Sequence, residues 1–281
     1  MRWSVGLALL LASAGCVPFA DAFHSPALAL GMRARRPRQV GSCPPVSMKL
    51  AAIFFGCDGV LVDSERDGHR VALNQAIAEV KPGLECSVDA YGKLLMVRGE
   101  ERLMGVWKEM GWDGMSMPMA EQIYKRKSEI FTEMLEQKAI PLRPGVGELI
   151  DAAIAAGIQV AVCSSNTQKN VELIVNSMGM VRASNIHIFA GGRVVNRKPH
   201  PDIFNLAKGT LGVDAADCLV IEDDQAGLDA AKAANIACLI ARSTYTKDQD
   251  FKLADRVEES LSDVDLEALV TLPSSMVGLN A

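Results

Sequence analysis

Five short apolar runs, separated by segments with helical periodicity, constrain the fold of this 281-residue chain more than any other feature. The runs occupy residues 51–55, 158–163, 186–190, 218–221 and 236–240. Each run is too short for a helix, and their alternation with helical segments is typical of a doubly wound parallel sheet. We therefore predict an α/β fold in which ligands bind beyond the carboxyl ends of the strands.

The segment 66–140 interrupts this alternation between strands and helices. It contains no strand-like run, and its apolar residues, among them Leu73, Ile77 and Val80, recur at helical spacing. We predict that residues 66–140 form an α-helical cap inserted after the first strand. Residues 49–65 and 141–270 then form the core, and residues 271–281 form a C-terminal tail.

The first 48 residues have the composition of a targeting leader. Arg2, the apolar stretch 6–17 and Ala20-Asp21-Ala22 predict a signal peptide at 1–22. The segment 23–48 contains four arginines, no acidic residue and several prolines, which predicts a transit peptide. A phenylalanine follows the predicted cleavage site, and this junction resembles the two-part leaders of plastids acquired by secondary endosymbiosis. We expect delivery to the plastid stroma; ordinary secretion and a retained membrane anchor are the alternatives.

Charge and cysteine usage narrow the function of the mature chain. The first 47 residues hold five arginines and one aspartate, which leaves 24 basic and 33 acidic residues in the rest. An acidic body argues against a nucleic-acid partner, because phosphate backbones attract clustered Lys and Arg. The seven cysteines show no C-x-x-C pair or zinc spacing, and we expect those of the mature chain to be reduced core thiols. We expect a monomer with no membrane contact.

Polar residues follow the first run in a distinctive order. The run ends in Phe-Phe and continues as Gly-Cys-Asp-Gly-Val-Leu (56–61), followed by Glu65 and by Asp-Gly-His-Arg (67–70). This stretch resembles the haloacid dehalogenase (HAD) superfamily of phosphatases, whose first strand ends F-D-x-D-G-V-L, and among them the CbbY-like branch. The resemblance also extends to β-phosphoglucomutase, and it implies a HAD-like Rossmannoid core. In that family the first aspartate attacks phosphorus and the second acts as general acid and base.

In this chain Asp58 takes the place of the second aspartate, while Gly56 stands at the position of the nucleophile. The resemblance therefore implies a catalytic set of Asp58, Ser164 and Lys198 around a vacant position 56. Neighbouring Cys57 is not a replacement nucleophile, because strand alternation turns it away from Asp58. We expect glycine to leave space for a restored aspartate.

Two further motifs supply the predicted phosphoryl contacts. Val-Cys-Ser-Ser-Asn (162–166) matches the family strand that closes on Ser or Thr, and Ser164 would donate a hydrogen bond to phosphoryl oxygens. The alternative role of Ser164 is a helix N-cap. Arg-Lys-Pro-His-Pro-Asp-Ile-Phe (197–204) matches K-P-x-P-D-I-F/Y, in which Lys198 would neutralise phosphoryl charge.

The fourth motif predicts the metal site. After the run 218–221 come Glu222, Asp223 and Asp224, where the family has E-D-S. The resemblance implies that Asp58, Glu222 and Asp223 hold Mg²⁺, a hard cation that prefers oxygen ligands. Asp224 replaces the usual serine, either as a helix N-cap or as a carboxylate that compensates for the loss at Gly56.

The resemblance also implies a set of polar residues that bind a small phosphorylated sugar. They are Glu65, His69, Arg70, Arg98, Arg102, Ser165 and Asn166. The cap loop at 96–102 looks one residue shorter than in CbbY-like phosphatases and lacks a lysine that the family has there. This departure leaves the identity of the sugar open, with a substrate like xylulose-1,5-bisphosphate as the family's example.

The sequence leaves two functions open. One is a magnesium-dependent sugar-phosphate phosphatase whose hydrolysis is impaired by Gly56, since loss of a covalent nucleophile costs on the order of 10⁶ in turnover in a protease. The other is a non-catalytic phosphosugar-binding protein that retains Ser164, Lys198 and the acidic residues. A mutase-like transfer requires the same missing aspartate and is not favoured.

Overall fold

The structure, a computed structural model, describes residues 50–95, 97 and 99–272. The predicted leader at 1–48, most of the predicted tail, and Arg98 therefore lie outside the described residues. Among the residues described, no helix is both long and apolar enough to cross a membrane. The five cysteines in this part of the chain are buried free thiols, as expected.

The core is a six-stranded parallel sheet with the strand order β3-β2-β1-β4-β5-β6. Its strands are β1 (Ala52–Phe55), β2 (Gln159–Thr167), β3 (Ile186–Gly191), β4 (Cys218–Glu222), β5 (Ala237–Ala241) and β6 (Arg256–Glu258). The five predicted strands are confirmed, with ends that differ by a few residues. The short strand β6 was not predicted, because Arg-Val-Glu is not an apolar run.

Both faces of the sheet are buried, as the continuous apolar runs require. Ile53 and Phe55 of β1 pack into the core on one face, while Ala52 and Phe54 pack into the core on the other. The register aligns Phe55, the last residue of β1, with an apolar residue of β2 and one of β4, each of which lies within two residues of the polar residues of its motif. The polar residues that follow them are thereby brought to one edge of the sheet.

Helices cover both faces of the sheet. They are α5 (Val146–Ala155), α6 (Gln168–Ser177), α7 (Met180–Ala183), α8 (Asp202–Leu211), α9 (Gln225–Ala233) and α10 (Leu266–Val270). Thr167 caps α6, because its hydroxyl accepts a hydrogen bond from the backbone N–H of Asn170 at 3.3 Å. The alternative role of Ser164 as an N-cap of this helix is therefore wrong.

The inserted α-helical cap is confirmed. It contains α1 (Arg70–Val80), α2 (Val88–Gly92), α3 (Gly99–Glu109) and α4 (Met117–Glu136), preceded by a π-helical turn at Ser64–His69. Helix α4 packs against α1 and α3, and it buries Ile123, Ile130 and Phe131 on its inner side. The boundaries predicted for the cap, 66 and 140, remain predictions.

Candidate functional site

Asp58 lies beyond the end of β1 and its carboxylate is held in place by neighbouring side chains. The Ser64 hydroxyl donates to Oδ1 at 2.7 Å, and the Asn166 amide donates to Oδ1 and Oδ2 at 3.2 and 3.1 Å. Asn166 follows Ser164 on β2, so the first and second motifs meet at Asp58. These bonds fix the orientation of a carboxylate that the sequence predicts to be a general acid and base.

Gly56 follows β1 directly, and little space surrounds it. A Cβ atom at this position would lie 2.8 Å from Glu222 Oε2 and 2.8 Å from Val60 Cγ2. Both distances are too short for a real Cβ, so the side chains of Glu222 and Val60 must both shift before a larger residue fits. The expectation that glycine leaves open space for an aspartate is wrong.

Position 59 requires glycine for two reasons, the conformation of the backbone and the proximity of Asp223. Its φ of +77° lies in the left-handed region, and a Cβ atom there would lie 1.9 Å from Asp223 Oδ2. The turn after β1 therefore packs its backbone directly against the acidic residues that follow β4.

Lys198 and Glu222 form a buried ion pair. The Lys198 ammonium donates to Glu222 Oε1 and, at 2.8 Å, to the carbonyl oxygen of Cys163. Burial raises the pKa of Glu222 to about 7, against the opposing effect of Lys198. Burial acts to lower the pKa of Lys198, but the Glu222 carboxylate more than offsets this, so that the pKa of Lys198 is raised. The predicted charge clamp is thus already paired with a carboxylate.

Three carboxylates gather at the end of β4, where Glu222 is the last residue of the strand. Oxygens of Glu222, Asp223 and Asp224 lie within 4.8 Å of one another, and Glu222 and Asp223 are buried. Burial, followed by the neighbouring carboxylates, raises the pKa of Asp223 well above its usual value. A site composed only of carboxylate oxygens fits a hard cation such as Mg²⁺, which would relieve this repulsion.

Asp224 also serves as the predicted N-cap of α9. Its Oδ1 accepts a hydrogen bond from the backbone N–H of Gly227 at 2.7 Å. One of its carboxylate oxygens is therefore engaged by the helix. The three clustered carboxylates include Asp224 in place of Asp58, whose oxygens are held by Ser64 and Asn166 instead.

A cavity of about 520 Å³ lies between the sheet edge and the cap. Asp58, Asp223 and Asp224 line its core side. On its cap side, Glu65 Oε2 accepts a hydrogen bond from Tyr91 Oη at 2.6 Å and forms an ion pair with Arg102 at 3.3 Å. The cavity is acidic at the core and has fixed polar groups at the cap.

Lys127 lines the same cavity, and the sequence did not single it out. The residue is only 8 % exposed, and its ammonium lies 3.0 Å from His69 Nδ1. Burial lowers the pKa of Lys127 to about 8, and burial followed by Lys127 lowers the pKa of His69 to about 3. A neutral imidazole can accept the bond from a protonated Lys127. A lysine on an amphipathic helix usually faces solvent, so only the packing of α4 reveals this cation.

The predicted substrate-binding residues do not all meet at the cavity. Glu65, His69 and Arg102 line it, and Asn166 reaches it through Asp58. Arg70 instead donates to the carbonyl oxygen of Cys86 at 3.2 Å, and Ser165 is exposed. A second group of predicted residues is not part of the cavity lining: Gly56, Ser164, Lys198 and Glu222.

Ser164 belongs to this second group. It is buried, and its hydroxyl accepts a hydrogen bond from the backbone N–H of Asn166 at 3.0 Å. The hydroxyl proton is left to donate to a neighbouring acceptor, as a phosphoryl contact requires. The role of Ser164 stays a prediction.

Comparisons with known proteins agree with this arrangement. Residues 50–235 match the family model of haloacid dehalogenase-like hydrolases. The chain is 43 % identical to a CBBY-like protein of Arabidopsis thaliana, over 82 % of this chain and 76 % of that protein. It is 32 % identical to a crystallised variant of CbbY from Rhodobacter sphaeroides in complex with xylulose-1,5-bisphosphate. That match has a TM-score of 0.60 and covers 76 % of this chain and 96 % of the other.

A further relative bears on the cellular compartment. The chain is 32 % identical to SUPPRESSOR OF QUENCHING 1, chloroplastic, of Arabidopsis thaliana. The match covers 71 % of this chain but only 18 % of that protein.

Proposed function

This chain belongs to the haloacid dehalogenase-like hydrolases, and among them to the CbbY-like proteins, and from this premise we propose that it binds a small sugar bisphosphate at a site where Gly56 impairs hydrolysis. The family activity is phosphate monoester hydrolysis. The observation that carries the proposal is a cavity with a carboxylate cluster at one end and the cations Arg102 and Lys127 at the other. A ligand with two separated phosphates fits this distribution of charge.

In this proposal the two ends of the cavity bind different groups. Mg²⁺ held by Glu222 and Asp223, with the carboxylate of Asp224 beside them, would neutralise the phosphate at the core end and polarise its oxygens. Ser164 donates a hydrogen bond to the same phosphate. Arg102 and Lys127 attract the second phosphate at the cap end.

Hydrolysis lacks its first step, because position 56 carries no side chain. Asp58 is oriented to protonate a leaving oxygen, but no carboxylate at 56 attacks phosphorus. Cys57 does not replace it, since the thiol is buried and burial raises its pKa well above the usual value. The chain therefore retains the groups that bind and protonate while lacking the group that attacks.

A non-catalytic phosphosugar-binding protein is the second candidate, and one observation favours it. Glu222 and Val60 occupy the space that the side chain of residue 56 would enter, and Lys198 is paired with Glu222. This crowding around Gly56 supports a role in binding without turnover.

Both candidate functions require binding of a phosphorylated sugar, but only the impaired phosphatase hydrolyses it. Calorimetric titration of the full chain with sugar mono- and bisphosphates in Mg²⁺ should detect tighter binding of bisphosphates. A phosphate-release assay on the same ligands then separates impaired hydrolysis from none. Failure to bind any phosphorylated sugar would contradict both candidates.

We also propose that the protein acts in the plastid stroma. The composition of residues 1–48, described above as a signal peptide followed by a transit peptide, supports this address. The relative whose name places it in the chloroplast supports it in a coarser way.

A further inference from the structure

Tyr245 lines the cavity and joins the core to the cap. It belongs to the loop after β5, yet its ring lies against Tyr91 of α2, with ring centroids 6.0 Å apart and planes tilted by 46°. The next cap residue, Gly92, touches the same ring. A Cβ atom on Gly92 would lie 2.9 Å from Tyr245 Cδ1 and 3.1 Å from Cε1. The cap backbone therefore lies on the Tyr245 ring with no room for a methyl group.

On the cap side, Tyr91 is hydrogen-bonded to two of the predicted sugar-binding residues. The hydroxyl of Tyr91 donates to Glu65 Oε2 at 2.6 Å and accepts from Arg102 Nη1 at 3.0 Å. Arg102 is also fixed by the carbonyl oxygens of Leu95 and Val97, at 2.7 and 2.5 Å. A shift of Tyr91 would therefore move both Glu65 and Arg102.

On the core side, the loop that carries Tyr245 is fixed at several points. The backbone N–H of Ser243 donates to Thr246 Oγ1 at 2.9 Å, and Thr244 hydrogen-bonds to the carboxylate of Asp63. Ser243 also lines the cavity beside Asp223. These bonds hold the loop that carries Tyr245 beside the acidic end of the cavity.

The ring of Tyr245, rather than its hydroxyl, makes the contact with the cap. Within the described part of the chain, Tyr245 Oη is buried and has no hydrogen-bond partner. The contacts with Tyr91 and Gly92 involve ring carbons. Phenylalanine would preserve these contacts.

We infer that Tyr245 is a positioning residue that sets how closely the cap approaches the core, and thereby the distance between the two ends of the phosphosugar site. The inference rests on the proposed function. Inorganic phosphate is small enough to need only the acidic end of the site. A sugar bisphosphate must contact both ends at once. Its affinity, unlike that of inorganic phosphate, therefore depends on the distance between cap and core.

The test compares the two ligands on a set of single variants. Affinities of the full chain for inorganic phosphate and for xylulose-1,5-bisphosphate would be measured by calorimetry in Mg²⁺. We expect Gly92→Ala and Tyr245→Ala to weaken bisphosphate binding at least about tenfold, since a misplacement of about 1 Å can cost about 100-fold in catalysis. Phosphate binding should not change. Tyr245→Phe should behave as the parent.

Gly209→Ala is the matched control for Gly92→Ala. Gly209 lies in helix α8, far along the chain from the cap, and a Cβ atom there meets nothing within 4 Å. This variant should bind both ligands as the parent does, and a thermal melt of each variant verifies its fold.

Several outcomes would overturn the inference. It is wrong if Tyr245→Ala binds the bisphosphate as tightly as the parent, or if the variants lose phosphate and bisphosphate affinity equally. A loss in Tyr245→Phe as large as in Tyr245→Ala would assign the effect to the hydroxyl and contradict the role of the ring. A parent that binds phosphate but no phosphorylated sugar would refute the proposed function, and the inference with it.

Discussion

The carboxylate of Glu222 lies against Gly56, so that a Cβ atom at position 56 would be 2.8 Å from Glu222 Oε2. Glu222 Oε1 is at the same time the acceptor for Lys198. One carboxylate thus closes over the vacant nucleophile position and neutralises the lysine that would otherwise face it. The charges of Lys198 and Glu222 thus compensate each other without any side chain at position 56.

Gly59→Ala should destabilise the fold more than an ordinary glycine substitution. Left-handed backbone costs alanine about 1–2 kcal/mol, and the collision with Asp223 Oδ2 adds the cost of overpacking, about 1–3 kcal/mol. We therefore expect the free energy of unfolding to fall by about 2–5 kcal/mol, measured by urea denaturation.

Gly111→Ala separates these two costs. Gly111 has a φ of +67°, close to that of Gly59, but a Cβ atom there meets nothing within 4 Å. It should lose only the backbone cost, about 1–2 kcal/mol. Equal losses in both variants would show that Asp223 moves aside freely.

Ionisation of the buried Lys127 should make the stability of the fold depend on pH. Its pKa in the folded protein is about 8, below the ordinary 10.5, because burial penalises its charge. Between these values the unfolded chain binds more protons than the folded one, so the contribution of Lys127 to stability rises with pH. Below pH 8 both states are protonated and the contribution is constant and unfavourable.

The comparison with Lys127→Met isolates this residue from other titrating groups. From pH 7.5 to 9.5 the stability of the parent should rise by about 2 kcal/mol relative to the variant. Urea denaturation at several pH values measures the difference. A difference that stays constant over this window would mean that Lys127 keeps an ordinary pKa.

We expect substitutions of Asp223 and Asp224 to change the affinity for Mg²⁺ by different amounts. Asp223→Asn should weaken Mg²⁺ binding at least as much as loss of an outer-shell partner does, about 10–100-fold. Asp224→Ser keeps a side-chain acceptor for the Gly227 N–H and should preserve both the helix cap and most of the affinity. Calorimetric titration with Mg²⁺ measures both variants. Equal losses would make Asp224 a full ligand and support its role as a compensating carboxylate.

The leader predicts two targeting outcomes in a cell with secondary plastids. Residues 1–48 fused to a fluorescent protein should deliver it to the plastid stroma, because both addresses are present. Residues 1–22 alone should direct it into the secretory pathway only. Fluorescence microscopy distinguishes the two compartments, and secretion of the longer fusion would contradict the plastid address.

The sequence predicted those parts of the fold that depend on local pattern. The central strands are continuous apolar runs, and the polar residues that follow them meet because parallel strands end at one edge. Strand β6 escaped prediction because three residues, two of them charged, carry no periodic signal. Lys127 escaped because its burial depends on how α4 lies over the cavity, a contact between segments far apart in the chain. The space around Gly56 is likewise set by Glu222, from another strand.

A single substitution can restore a carboxylate at the vacant nucleophile position. Gly56→Asp should raise phosphate release from sugar phosphates by at least about 10³-fold in the presence of Mg²⁺, part of the roughly 10⁶-fold that a covalent nucleophile contributes in a protease. The gain is expected to be partial, because Glu222 must first withdraw from the space that the new side chain enters. Its carboxylate is the end of a flexible side chain and can turn towards the metal, whereas Val60 Cγ2, also 2.8 Å from the Cβ position, belongs to a buried branched residue. Adding Val60→Ala to Gly56→Asp should therefore increase activity further if the valine limits the fit.

Two control variants test the role of the new carboxylate. Gly56→Ala supplies the Cβ without the carboxylate and should remain inactive. Gly56→Asp with Asp58→Asn should lose most of the gain, because the leaving oxygen is no longer protonated. A repaired chain as inactive as the parent, even with alanine at 60, would mean that the Lys198–Glu222 pair no longer opens to accept a phosphoryl group. Brisk turnover by the parent would instead show that another group attacks phosphorus.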